Sequence, residues 1–200
     1  MPTTLIVLDH PYTLAASENV PHNRSCTAAI AERAIESAHS EGHDVDVIDL
    51  HADGFNPVMT REDLVSWRTV QEMDPLVADY QRRLLQADRI VLVLPVWWEL
   101  MPAITKGFID RVYAKNVLHT QPGKGRFHSL LKKDVEVVAV TVMSTPKGLY
   151  RCLFHRPVVA ALRWGICWRS GLKRSRWIPI TGVGRTTAER RARMLADFAL

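Results

Sequence analysis

The chain has 200 residues, 47% hydrophobic and 24% charged, a balance that fits one domain able to bury a core and excludes disordered, collagen-like and stapled miniprotein classes. No apolar run reaches the ~18 residues a membrane span needs, and the opening MPTTLIVLDHP has no basic signal-peptide region, so a cytoplasmic, non-spanning protein is expected. The net charge of +5 is uneven, since residues 1–146 hold 14 Lys+Arg against 19 Asp+Glu whereas residues 147–193 hold 12 against the single acid Glu189.

Thr4 to Leu8 (TLIVL) is a short apolar run that reads as a first strand. A polar loop runs from Asp9 to Cys26, and Thr27 to His39 then sets Ile30, Ala31, Ala34, Ile35 and Ala38 on one helical stripe, with Ser25 as cap and Gly42 as stop. Asp44 to Asp49 (DVDVID) alternates acid with apolar residues, the pattern of a strand wetted on one face at a sheet edge. Helices are predicted over Pro75 to Gln86 and Pro102 to Lys115. Arg89 to Leu94 (RIVLVL) and Val135 to Val142 (VEVVAVTV) are continuous aliphatic runs, so both strands are expected to be buried on two faces. A helix over roughly Tyr150 to Ser170, a weaker strand at Trp177 to Thr181 whose internal proline suits an edge, and a helix from Thr187 to Ala199 complete the chain. This alternation predicts a single α/β domain, a doubly wound sheet of five parallel strands in the order 2-1-3-4-5 with helices on both faces.

Ligands of such sheets bind beyond the carboxyl ends of the strands where the connection order reverses, above the first and third strands. The loop Asp9 to Cys26 brings His10, the hydroxyls of Ser25 and Thr27 and the free N–H groups of a helix start, a combination suited to a phosphate. An ordinary capped helix after a surface loop would look the same, and neither GxxxxGK[ST] nor GxGxxG is present. In the loop after the central strand, the adjacent Trp97 and Trp98 cannot both enter the core unless the chain turns, and Pro95 and Pro102 stiffen that turn. A flat aromatic ligand would lie along it; packing in the core or against a second copy is the other reading.

The remaining polar residues carry weaker signals. His39, His43, His51, His119 and His128 lack metal-ligand spacing, the pairs Asp44/Asp46 and Glu62/Asp63 read as solvent-facing, and no GxSxG elbow occurs. Cys26, Cys152 and Cys167, an odd number without C-x-x-C spacing, read as small core residues. Trp164, Trp168 and Trp177 interleave with Arg163, Arg169, Lys173, Arg174 and Arg176, which describes either a helix packing its tryptophans on the sheet or a membrane or partner-docking patch. No nucleic-acid motif accompanies the basic segment, so no nucleic acid is expected.

The stretch Ala87 to Tyr113, ADRIVLVLPVWWELMPAITKGFIDRVY, resembles the signature of the flavodoxin-like NAD(P)H:quinone oxidoreductase family, of the DT-diaphorase and potassium-efflux ancillary reductase type. The agreement runs through the proline, the tryptophan, P-A-x-x-K-G and D-R-V; His10 with Pro11 and the segment Asp49 to Leu64 extend it over most of residues 4–145. The resemblance implies a flavin cofactor, FMN or FAD, NAD(P)H as electron donor, ping-pong hydride transfer to a quinone-like small molecule, and a homodimer. By position it implies His10, Ser25 and Thr27 at the flavin phosphate, with Ser17 and Asn19 as a rival alignment, and Pro95, Val96, Trp97, Trp98 and Glu99 along the isoalloxazine. Thr141, Met143 and Ser144 stand at the pyrimidine edge, where members often carry Thr-Thr-Gly-Gly, and Tyr150 and His155 stand for the Tyr and His near the hydride acceptor. The short chain and missing glycines favour FMN, and the basic end favours the 2′-phosphate of NADPH. The rival from another class is a regulatory subunit docking on a membrane transporter through its basic face.

Overall fold

Strands β1 (Thr3–Leu8), β2 (Asp44–Asp49), β3 (Arg89–Pro95), β4 (His119–Thr120), β5 (His128–Ser129), β6 (Glu136–Met143) and β7 (Arg174–Thr181) form in a computed structural model that describes residues 1–17, 25–69, 74–123 and 125–200. The short β4 and β5 pair with each other antiparallel, an element not foreseen from the sequence. The other five make one parallel sheet in the order β2-β1-β3-β6-β7, which is the order expected. Pro179 lies in the edge strand β7, paired on one side only, where no neighbour needs its missing N–H.

Successive strand side chains face opposite ways, so the sheet divides the apolar residues into two cores. Leu5, Val7, Ile90, Leu92, Val137 and Ala139 pack with Tyr80 and Leu84 of α3 and Phe108 and Val112 of α4. Ile6, Leu8, Val91, Val93, Val138 and Val140 pack with Ile30, Ala31 and Ala34 of α1 and with Leu195 and Phe198 at the C-terminal end. Here α1 is Cys26–Ser40, α2 Arg61–Thr69, α3 Pro75–Gln86, α4 Ala103–Val112, α5 Lys147–Cys152, α6 Pro157–Ala160 and α7 Ala188–Ala196. Among the described residues no helix is long and apolar enough to cross a membrane.

The helix expected over Tyr150 to Ser170 is in fact three pieces: α5, α6 and a π-helical stretch Ala161–Trp168. The break between α5 and α6 falls at Pro157, which has no N–H to donate and disfavours the right-handed helical region in the residue before it. His155 and Arg156 turn there with φ of 56° and 54°, while α6 runs directly into the π-helical stretch. Trp164 and Trp168 are exposed rather than packed on the sheet, whereas Trp177 packs against the core. Of the cysteines only Cys167 is buried; Cys26 is half-buried and Cys152 is exposed.

Helix α2 was missed, although its signal is in the sequence. Thr60 Oγ1 accepts from the Asp63 N–H at 3.1 Å and Asp63 returns the bond to the Thr60 N–H at 2.8 Å, a reciprocal capping box. Asp63 does not simply face solvent. It also takes Arg111, which reaches Asp74 and the Asn56 carbonyl from a buried position, with its guanidinium 5.5 Å from the Phe55 ring centroid. Asp46, its side chain still 39% exposed as a solvent-facing residue would be, also binds Arg83 through both oxygens, at 2.8 and 2.5 Å. The segment after β2 crosses α4 where Gly107 meets Pro57, and a Cβ at Gly107 would overlap the proline backbone and ring. Gly107→Ala is therefore expected to lower the unfolding free energy by about 1–3 kcal/mol, the range for overpacking a filled core, measurable as a reduced urea midpoint at unchanged slope.

Candidate functional site

The loops that follow β1, β2, β3 and β6 leave the sheet at one edge and are stitched to it by main-chain bonds. Asp9 N–H donates to the Val93 carbonyl at 3.0 Å, Leu50 N–H to Leu8 at 3.1 Å and Val96 N–H to Val142 at 2.9 Å. At the centre lies Asp9, only 1% exposed. Its carboxylate accepts from the Thr105 N–H at 3.2 Å, from the Thr105 hydroxyl, and meets His51 Nε2 at 3.2 Å. Asp9 thus satisfies a free N–H in the first turn of α4, where Pro102 stands in the capping position with no side chain to do so. Burial pushes the Asp9 carboxyl above its ordinary value, with the bonds from Thr105 and His51 pulling the other way. No reading of the sequence singled out Asp9; a carboxylate closing an apolar strand just before His10 and Pro11 was the available signal.

His10 sits beside it, half-buried, with Nδ1 accepting from the Tyr12 N–H at 3.2 Å. Burial lowers its pKa from 6.5, and the neighbouring His51 adds to that. Ser25 caps α1 as expected, but its Oγ is engaged by the Ala28 N–H at 3.0 Å, and both Ser25 and Thr27 are buried. Ser17 closes a 3-10 turn, Leu14–Ala16, that Asp49 holds through the Leu14 N–H at 2.7 Å; Asn19 lies outside the described residues. A cation missed from the sequence joins this corner: Arg191 of α7 lies close enough to Cys26, the first residue of α1, to offset in part the burial that raises that thiol's pKa.

After β3 the chain makes a two-residue turn. Trp97 and Leu100 exchange main-chain bonds of 3.0 and 2.9 Å across Trp98 and Glu99, whose φ are 51° and 63°. Such left-handed turns are normally made of Asn and Gly, so two bulky residues here are strained by roughly 1–3 kcal/mol each. Three contacts compensate. Thr145 Oγ1 donates to Glu99 Oε1 at 2.7 Å, the Tyr150 hydroxyl donates to the Glu99 carbonyl at 3.3 Å, and the Val158 N–H donates to that hydroxyl at 3.4 Å. The turn presents Trp98 at 97% exposure and Trp97 at 45%, while Glu99 Oε2 is buried with no partner among the described residues. Pro95 is buried at the end of β3, and Val96 is half-buried next to it.

The other expected residues divide. Thr141 is fully buried inside β6, where its Oγ1 accepts from the Trp177 indole at 2.9 Å, and Met143 is also buried, so of that trio only Ser144 faces outward. Tyr150 is wholly buried and its hydroxyl is spent on Glu99 and Val158, whereas His155 is exposed in the break before α6, so the two are not presented on one open face. Ser144 is met by another glycine: a Cβ at Gly184, in the 3-10 turn Val183–Arg185, would lie 2.8 Å from Ser144 Oγ.

A family model described as flavodoxin-like fold matches residues 3–199. The chain belongs to the flavodoxin-like fold family. Within it, a Haemophilus influenzae protein named as an uncharacterised NAD(P)H oxidoreductase is 34% identical over 160 residues, covering 76% of this chain and 74% of that protein. The matches to the first two curated relatives span about half of those proteins, 57% and 43% of their lengths. Among solved structures, the NAD(P)H:quinone oxidoreductase of Methanothermobacter marburgensis superposes with a TM-score of 0.79 at 18% identity over 98% of this chain and 94% of that one. The FMN-dependent NADH-azoreductase of Bacillus anthracis, in complex with FMN, gives 0.69 at 16% identity over 98% and 94%. At these identities the superpositions speak for the flavodoxin-like fold alone.

Two outcomes follow from this geometry. Tyr150→Phe removes the tie to the Glu99 carbonyl and is expected to lower stability by roughly 0.5–1.5 kcal/mol and to broaden tryptophan fluorescence from the Trp97–Leu100 turn. A folded-state carboxyl raised above 3.8 makes the folded protein bind more protons than the unfolded chain, so the Asp9 contribution improves as pH falls through its folded value. Urea midpoints of the wild type, compared with those of Asp9→Asn, should therefore rise as pH falls from neutrality toward the ordinary carboxyl value of 3.8.

Proposed function

We propose that the protein is a flavin-dependent NAD(P)H oxidoreductase that passes two electrons to a quinone or similar small acceptor in a ping-pong cycle. The observation that carries this reading is the exposed Trp97–Leu100 turn at the carboxyl edge, held by Thr145 and Tyr150 through Glu99, on the edge of the sheet where α1 also begins. It is supported by a relative named for NAD(P)H oxidation and by structural neighbours named a quinone oxidoreductase and an FMN-dependent azoreductase. Those names favour an enzyme over a docking subunit.

The residues present fit a flavin. An isoalloxazine is flat and apolar on its faces and carries N–H and carbonyl groups along one edge. Trp98 offers an exposed ring, and Glu99 Oε2 is a buried acceptor lacking a donor among the described residues. The N-terminal amides of α1 near Ser25 and Thr27, with the Arg191 guanidinium, suit one phosphate, which favours FMN over FAD. His10, whose Nδ1 accepts from the Tyr12 N–H, would donate to that phosphate from Nε2.

Bound flavin supplies the redox chemistry, accepting a hydride from the nicotinamide and returning two electrons to the acceptor. The chain binds, orients and polarises. Main-chain N–H groups of Trp98 and Glu99 after β3 and of Ser144 after β6 would face the negative charge that develops on hydride transfer. Tyr150 is a positioning residue, because its buried hydroxyl fixes the Glu99 carbonyl instead of meeting substrate. His155, exposed beside it, would give the acceptor the proton it takes up with the hydride. Of the basic run 147–193, the members that follow β6 at the carboxyl edge, Lys147, Arg151 and Arg156, would meet the 2′-phosphate of NADPH. Exposed Trp98, Leu100, Leu153 and Phe154 form apolar surface that a second copy would cover, supporting a homodimer.

The test is an absorption spectrum of the purified protein titrated with FMN and FAD, then with NADPH under anaerobic conditions. A bound visible flavin band that bleaches with NADPH and returns on adding a quinone is expected, and a protein that binds neither flavin overturns the reading. Arg191→Gln should weaken FMN roughly tenfold, the worth of one charge-assisted hydrogen bond, and leave riboflavin, which has no phosphate, unchanged.

A further inference from the structure

The end of the sheet opposite to the flavin reading carries a second pocket. α4 runs back from the carboxyl edge of β3, and the β4–β5 hairpin that follows it lies against the residues that lead into β7: Ser129 N–H donates to the Ser170 carbonyl at 2.8 Å and the Tyr113 hydroxyl to Ser170 Oγ at 2.7 Å. Lys132 Nζ, just after the hairpin, binds Asp88 at 2.7 Å, immediately before β3 begins, which fixes this as the amino edge. Between the hairpin and the end of the π-helical stretch is a cavity of about 260 Å³ lined by Gln121, Gly125, Arg126, Phe127, Trp168 and Arg169. Pockets for drug-sized ligands run from about 300 Å³ upward, so this one suits a molecule of one or two rings.

Its chemistry is specific. Arg83, Arg89, Arg111 and Arg176 each meet a carboxylate, but among the described residues neither Arg126 nor Arg169 does. The Arg169 guanidinium lies 5.0 Å from the Phe127 ring centroid, and Trp168, exposed at 62%, stands next to it in the chain, its ring edge-on to Trp164 at 6.4 Å. Flat guanidinium and indole surfaces stack on aromatic rings, and a guanidinium binds carboxylate, sulfonate or phosphate through paired N–H donors. The π-helical stretch that ends at Trp168 is itself a rare conformation that accumulates at functional sites. Two smaller spaces among the described residues differ: one of about 60 Å³ beneath α4 is lined by apolar residues and Cys167, and one of about 20 Å³ beside Arg163, Arg176 and Trp177 is too small for a ring.

We propose that this amino-edge pocket binds a small flat aromatic anion, with Arg126 and Arg169 holding the acidic group and Trp168 and Phe127 flanking the ring. The site is independent of the flavin reading, since none of its residues belongs to the carboxyl edge.

The experiment is calorimetric titration of the full chain with naphthalene-2-sulfonate and, as the neutral counterpart, 2-naphthalenemethanol. The sulfonate is expected to bind at least tenfold tighter than the alcohol and to weaken as salt rises from 0.05 to ~0.5 M, where charges are screened within a few Å. Arg126→Gln and Arg169→Gln should each cost the sulfonate roughly tenfold and leave the alcohol unaffected, while Trp168→Leu weakens both. All three positions are exposed, and circular dichroism of the variants should match the wild type. Equal binding of the two compounds, no binding of either, or full sulfonate affinity in both arginine variants overturns the proposal. Flavin content of the arginine variants is read in the same samples and is expected to be unchanged, so a failure here leaves the flavin reading standing, and the converse holds as well.

Discussion

Burial of β3 on both faces is the constraint from which the rest of the molecule follows. A parallel strand with no polar side chain between Arg89 and Pro95 must have neighbours on both sides and helices above and below. Parallel strands also bring every carboxyl end to one edge, so the loops after β1, β2, β3 and β6 are gathered there whatever else they contain. The two cores that lock the sheet, one under α3 and α4 and one under α1 and α7, make that edge a rigid mount.

On this mount the edge carries polar and strained features that would be costly elsewhere. Asp9 is a buried carboxylate, tolerable because Thr105 and His51 give it hydrogen-bonding partners and the first turn of α4 presents its positive end. Trp98 and Glu99 hold left-handed backbone because Thr145 and Tyr150 reach them from the next loop. A carboxylate oxygen buried without a partner among the described residues and, next to it in the chain, an indole almost fully in solvent mark a surface formed to meet something other than water.

Much of this was legible in the residues. The apolar runs are continuous where strands are central and alternate where β2 is an edge, which fixed strand identity and order. Ser25 as cap of α1 and Pro179 in an edge strand followed from one residue each. What escaped was either short or long-range. The two-residue strands β4 and β5 have no periodicity to detect. The break before Pro157 was visible in principle but was overridden by the apolar content of the segment. Asp63 looked solvent-facing because Arg111, its partner, lies on α4, and Arg191 looked like one more basic residue because α1 lies at the far end of the chain.

By itself the sequence determined the α/β class, the strand order and the loops to watch, since these depend on local pattern and on chain connectivity. Only the tertiary structure decided which residues in those loops are open. Thr141, Met143 and Tyr150 turned out buried and structural, while Ser144, Trp97 and Trp98 face outward. The reason is that exposure at a sheet edge is set by which residues of neighbouring elements, here Trp177 of β7 against Thr141 and Val158 of α6 against Tyr150, arrive there, and one-dimensional spacing holds no record of that meeting.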